Sequence, residues 1–269
     1  MKSSVIIFPG SNCDRDMDVA LKKFGFKNQM IWHNDIDLPK NDLVVLPGGF
    51  SYGDYLRCGS IAAKSKIIHS VINYINSGGL VLGICNGFQI LIETGLLPGA
   101  LLRNKYLEFI CKNVFVKIKD KKNNYFKDIK KDILELHIAH NEGNFFCTQD
   151  EIKQIEDNDQ IALHYSNDKG EINEKFNPNG SLKNIAGIFN KKKNVLGMMP
   201  HPERMIDKYL SGNVNEENNP NGSIKNIAGI FNKEKNVLGM MPHPERMIDP
   251  ALSGEDGSIF FETLLNNLK

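Results

Sequence analysis

The chain has 269 residues, enough for one large α/β domain or two small ones. Its 33 basic and 32 acidic residues give a formal charge of +1, so no global field favours nucleic acid or an anionic membrane. A hydrophobic fraction of 41% and a charged fraction of 24% are ordinary for a soluble globular protein. No apolar run approaches the roughly 20 residues that span a bilayer, and the apolar part of "MKSSVIIFPGSNCD" is too short for a secretory signal. Five cysteines, an odd number scattered without metal-ligand spacing, argue against a disulfide framework and point to a reducing, cytoplasmic compartment.

In chain order, "SVIIFPG" (4–10) reads as a buried strand, followed by a helix with Asp14 as N-cap and Met17, Leu21 and Phe24 at helical spacing. "DLVVLPGG" (42–49) is a second buried strand ending in a Gly-rich turn. "IAAKSKIIHSVINYINSGG" (61–79) is a helix closed by glycine. "LVLGICNGFQILIET" (80–94) is a strand that runs directly into a helix. Continuous apolar strands separated by helices imply a parallel sheet covered on both faces. In the second half, "FICKNVFVKI", "LELHIAHNEGNFF" and "QIALHYS" are spaced like antiparallel strands, and the Lys/Asn-rich run 117–131 reads as a solvated loop. "GSIFFETLLNNLK" closes the chain as a helix. The expected fold is α/β: a single domain over 1–269, largely parallel, with an antiparallel extension.

One feature interrupts this pattern. Residues 177–207 match 219–249 at a constant offset of 42, differing only at Leu182/Ile224 and Lys192/Glu234. Two near-identical copies indicate a tandem duplication rather than a solenoid, which needs about three or more units. Each copy holds two short apolar strands around a polar turn, a β-hairpin, and ends in "MMPHPERM".

The strongest chemical signal is "GICNGFQ" (83–89). Cys85 sits at a strand–helix corner flanked by Gly83 and Gly87, which allow a sharp turn. A helix N-terminus favours the thiolate, the form that attacks a carbonyl carbon. Cys13 also follows a strand, but Asp14, Asp16 and Asp18 crowd it and glycines at plus and minus two are missing; it reads as structural or a bystander. A thiol nucleophile needs a base, and the base an orienting group. His-Pro-Glu supplies both, since residues two apart in an extended chain share a face. The candidates are His201 with Glu203 and His243 with Glu245. His140, in a Gly-containing segment after a strand, is a further pocket candidate. Oxyanion donors would be the Asn86 amide and the turn at Gly48 and Gly49.

Taken together, "PGGFSYGDYLRCGSIA" (47–62), "GICNGFQIL" (83–91), "AHNEGNF" (139–145) and "MMPHPERM" resemble the class I (triad-type) glutamine amidotransferases. Within that class they are similar to the glutaminase subunit of phosphoribosylformylglycinamidine synthase, a purine-biosynthesis enzyme. The resemblance implies a flavodoxin-like domain and a Cys-His-Glu triad that splits L-glutamine into glutamate and ammonia. It implies that Gln89 and the 140–145 loop, Gly143 included, shape the glutamine pocket. It also implies delivery of ammonia to a large synthase subunit, with a small accessory subunit. ATP and Mg²⁺ would belong to that partner, with no cofactor or metal on this chain and neither nucleic acid nor membrane as partner.

The departure from the family pattern is the second His-Pro-Glu hairpin. Only one copy fits beside Cys85, and the other becomes a 42-residue insertion, cheap because loop-closure entropy grows slowly with length. The junction "DPALSGEDG" with the closing helix favours His243/Glu245, while earlier synthesis favours His201/Glu203. The expectation is that either single His substitution leaves activity and the double abolishes it. Two rivals stay open: another triad amidotransferase or γ-glutamyl hydrolase, and a DJ-1-like protein with a reactive elbow cysteine, which would not need His-x-Glu.

Overall fold

Alternating apolar segments and helices build one side of a nine-stranded sheet. In the computed structural model, which describes residues 1–206, 229–231, 233 and 238–240, the first half contributes β1 (Lys2–Ile7), α1 (Asp14–Lys23), β2 (Lys27–Trp32), β3 (Leu43–Leu46), α2 (Ile67–Asn76), β4 (Leu80–Ile84) and α3 (Asn86–Glu93). The second half adds β5 (Ala100–Leu102), β6 (Ile110–Ile118), β7 (Ile133–His140), β8 (Asn144–Phe146), α4 (Gln149–Asp157), β9 (Ile161–Ser166), β10 (Ile185–Phe189) and β11 (Val195–Met198). The sheet order is β2-β1-β3-β4-β11-β10-β9-β6-β7. Pairs from β2 through β4 to β11 are parallel, and those from β11 to β7 are antiparallel. The expected parallel sheet with an antiparallel extension is therefore what forms.

The core follows the β-branched and aliphatic runs. Val5, Ile6, Val44, Val45, Leu46, Val81 and Ile84 have lost essentially all solvent contact. Several local expectations change on folding. Cys13, not Asp14, is the N-cap of α1 and makes no side-chain cap hydrogen bond, while Phe24 caps its end and is 66% exposed. The helix expected over 61–79 shortens to Ile67–Asn76, preceded by a 3-10 turn at Ala62–Lys64. β2 escaped the sequence reading because it is an edge strand, half-exposed and without an apolar run.

The Lys/Asn-rich run is more than a solvated loop. Phe126 is buried, and the Tyr125 hydroxyl donates to the carbonyls of Val81 (2.7 Å) and Asn194 (2.8 Å). Burial pushes the Tyr125 phenol well above its usual value. Tyrosine carries a polar tip on an apolar body, so it plugs the seam between β4 and the turn before β11.

The chain divides into two compact units, Met1–Asp207 and Lys208–Lys269. The second contains β12 (Gly229–Phe231) and β13 (Leu238–Met240), an antiparallel pair. The expected closing helix lies outside the described residues. Among the described residues no helix is long and apolar enough to cross a membrane.

Candidate active site

At the carboxyl end of β4 the chain turns into α3 through Cys85, whose backbone takes φ 49° and ψ −104°. Left-handed φ on a non-glycine residue costs of order 1–3 kcal/mol and persists only where surrounding structure enforces it. The flanking glycines serve another purpose than the turning freedom expected of them, since neither has positive φ. A Cβ on Gly87 would run into the Leu46 carbonyl, and one on Gly83 would lie 2.8 Å from Gly87. They let α3 press against β3 and β4, and the strain falls on Cys85. Its amide is fixed by the Met198 carbonyl at 2.8 Å, and its Sγ lies 3.7 Å from the Ala139 carbonyl.

β11 runs parallel to β4, with Met198 opposite Ile84, and so delivers the residues after it to the same end of the sheet. The His201 amide bonds to the His137 carbonyl at 2.8 Å. Pro202–Met205 then forms a 3-10 turn, so Glu203 reaches His201 by a turn rather than by the strand alternation read from sequence. The His201 Nδ1 donates to Glu203 Oε1 at 2.6 Å, with both side chains buried. That leaves Nε2 buried and without a hydrogen-bond partner among the described residues.

Cys85 and His201 line one cavity of about 210 Å³, together with Asn12, Cys13, Gly49, Phe50 and Arg204 among others. Burial alone would lower the His201 pKa, but the Glu203 carboxylate and the Cys85 and Cys13 sulfurs hold it well above the usual histidine value. An imidazolium beside a thiol is the electrostatic arrangement that stabilises a thiolate.

Of the other expected residues Gly49 lines this cavity, while Gly48, Asn86, Gln89, His140 and Gly143 are not among its lining residues. Gly48 packs directly on His201, since a Cβ there would sit 2.6 Å from the ring Cε1. Gly49 (φ 130°) bridges to Ser11, and its missing Cβ leaves room for the Asn12 amide at 2.7 Å. Asn86 opens α3; its side chain accepts from the Ser51 amide (3.2 Å) and donates to Gln89 Oε1 (2.9 Å). Gln89 Nε2 donates to the Glu142 carbonyl at 2.7 Å. Both amide side chains thus brace the 51–54 and 140–145 loops. The His140 Nδ1 donates to Asn104 Oδ1 at 3.1 Å, its ring lies against Gly143, and burial holds its pKa down at about 4.

Matches to known proteins agree with this geometry. A model of the CobB/CobQ-like glutamine amidotransferase domain matches residues 1–218 and again 211–254. The chain belongs to that family. It is 65% identical, over 269 residues covering all of both chains, to phosphoribosylformylglycinamidine synthase subunit PurQ of Pelagibacter ubique. It is 54% identical to the same subunit of Synechocystis, over 77% of this chain and 93% of that one. Among solved structures, PurLQS from Thermotoga maritima matches at TM-score 0.65 and 34% identity, covering 100% of this chain and 99% of that one.

Two readings of the sequence meet the structure here. The junction argument leaned to His243/Glu245, yet the structure fills the slot beside Cys85 with His201 and Glu203, because β11 is the strand paired to β4. His243 and Glu245 lie outside the described residues. Cys13, read as structural or a bystander, is buried and lines the same cavity as Cys85, because α1 begins at the sheet end where β4 stops. Sequence reasoning missed Arg204 and Asn104 as well. Arg204 was legible only as the residue after Glu203, and nothing in the sequence marks Asn104. Cys13, His201 and Glu203 also place one donor atom each within 4.8 Å of one another, compatible with a cation. However, the His201–Glu203 hydrogen bond already engages two of those side chains.

Proposed function

We propose that this chain hydrolyses L-glutamine to glutamate and ammonia at Cys85, and that the ammonia feeds the phosphoribosylformylglycinamidine synthase reaction of purine biosynthesis. The observation that carries the reading is the strained Cys85 opening into one cavity with the buried His201–Glu203 pair.

The Cys85 thiolate adds to the side-chain amide carbon of glutamine, and the carbonyl oxygen becomes an oxyanion facing the α3 N-terminus and Gly49. His201 gives its proton to the departing nitrogen, the C–N bond breaks, and ammonia leaves a γ-glutamyl thioester on Cys85. Neutral His201 then takes a proton from water, hydroxide adds to the thioester, and glutamate departs as the thiolate reforms. Glu203 holds the ring in the tautomer that presents Nε2 and stabilises its charged form. Gln89, His140 and Gly143 shape the substrate pocket, and Asn86 both caps the oxyanion and braces the loop.

Nothing in these steps calls for a cofactor or metal on this chain. ATP and Mg²⁺ serve the large synthase subunit, which converts formylglycinamide ribonucleotide to its amidine with the small accessory subunit. The compartment is the cytoplasm, where the thiols stay reduced. The test is ammonia release by the assembled synthase with glutamine, alongside a Cys85→Ala chain. The substitution abolishes glutamine-dependent turnover while added ammonia still supports the synthase. Retained glutaminase in Cys85→Ala overturns the reading.

A further inference from the structure

Two thiols in this cavity, Cys13 and Cys111, are left unused by the reaction, and of these Cys13 is the buried one. Only 2% exposed, it donates to Asn12 Oδ1 at 3.3 Å and accepts from Arg204 Nη2 at 3.2 Å. Arg204 lies in the turn that also carries Glu203, three residues after His201. Its Nε stands 3.9 Å from Asp16 of α1, and Lys23 at the far end of that helix donates to the Ile206 carbonyl at 3.0 Å. The turn is therefore tied to α1 at both ends of the helix. A Cβ on Gly48 would touch the His201 ring and lie 3.4 Å from the Cys13 sulfur, so imidazole and thiol pack side by side over that glycine.

We propose that Cys13 is a positioning residue for the glutaminase reaction: with Arg204 it clamps the Pro202–Met205 turn to the start of α1 and so fixes the His201 ring toward Cys85. The proposal rests on Cys85 and His201 being the reacting pair. A buried thiol suits this task because it both donates and accepts within a narrow gap without carrying a charge. Misplacing a catalytic base by about 1 Å costs on the order of 10²-fold in rate, whereas Gln89, His140 and Gly143 are held by contacts of their own, to Asn86, Glu142 and Asn104.

The experiment measures glutaminase kcat and KM in the assembled synthase, together with the melting temperature of each chain. Cys13→Ala and Arg204→Gln each lower kcat by about tenfold or more with KM for glutamine within about twofold. Cys13→Ser, which keeps donor and acceptor, recovers most of the loss. The double variant Cys13→Ala/Arg204→Gln is no worse than the poorer single, because both remove one clamp. Cys13→Ala with kcat within twofold of the parent overturns the proposal. So does a loss shared by kcat and stability that serine does not rescue. A Cys85→Ala control separates the two levels: if it keeps activity the triad reading itself fails, and if it is dead while Cys13→Ala is fully active only the clamp falls.

Discussion

The two hairpins are nearly the same peptide in different surroundings. β10–β11 pairs Gly187 with Met198, Ile188 with Gly197 and Phe189 with Leu196. β12–β13 pairs Gly229 with Met240, Ile230 with Gly239 and Phe231 with Leu238, the same register 42 residues later. Yet Ile188 is fully buried and Ile230 is 67% exposed, and Met198 at 4% contrasts with Met240 at 39%. Local sequence therefore sets the hairpin and its register, through alternation and the polar turn. Burial, and with it any chemistry, comes from neighbours: β4 and β9 flank the first copy and make it the middle of a sheet.

The largest effect that tests this contrast is catalytic. His201→Ala lowers ammonia release by on the order of 10³-fold or more, while His243→Ala stays within about twofold. The reverse result would hand the slot to the second copy, and full activity in both singles would mean either hairpin can dock. Next comes stability. Ile188→Ala costs about 2–5 kcal/mol in denaturant unfolding, because it opens a cavity between packed strands. The matching Ile230→Ala changes stability by less than about 0.5 kcal/mol, having little burial to lose.

The pH dependence adds a second readout, carried by two histidines that the fold buries, His140 and His201. Burial holds His140 at about 4, so the unfolded chain binds a proton that the folded one refuses as pH falls from the unfolded value near 6.5. Its contribution to stability is complete above that value and declines by about 3 kcal/mol on the way to pH 4. His140→Gln flattens that part of the curve in thermal melts across this range. His201 acts oppositely: its raised pKa stabilises the fold at low pH, and this is lost as pH rises through the folded value. Comparing His140→Gln with His201→Gln separates the two slopes by sign.

Much of the site was legible beforehand because its signals are local. The elbow at Cys85 follows from a strand, two glycines and a helix in consecutive residues, and His-Pro-Glu from three more. The glycines were read for the wrong reason, as turning freedom, when what they provide is close packing against Leu46 and each other. Tyr125 was lost in a charged run because its value lies in two carbonyls supplied from far along the chain, one in β4 and one in the turn before β11. Cys13 was set down as structural or a bystander for its acidic neighbours and missing glycines, and what it contacts was hidden because Arg204 is 191 residues away in sequence.

By itself the sequence determined that a thiol would stand at a strand–helix corner and that a His-Glu hairpin would form twice, because propensity, alternation and turn chemistry act over a few residues. Which hairpin enters the sheet could not be read from it, since the two copies have nearly the same local free energy. The tertiary structure decided that in favour of His201, through the pairing of β11 with β4, and the same long-range packing brought Cys13, Arg204 and Asn104 to the site.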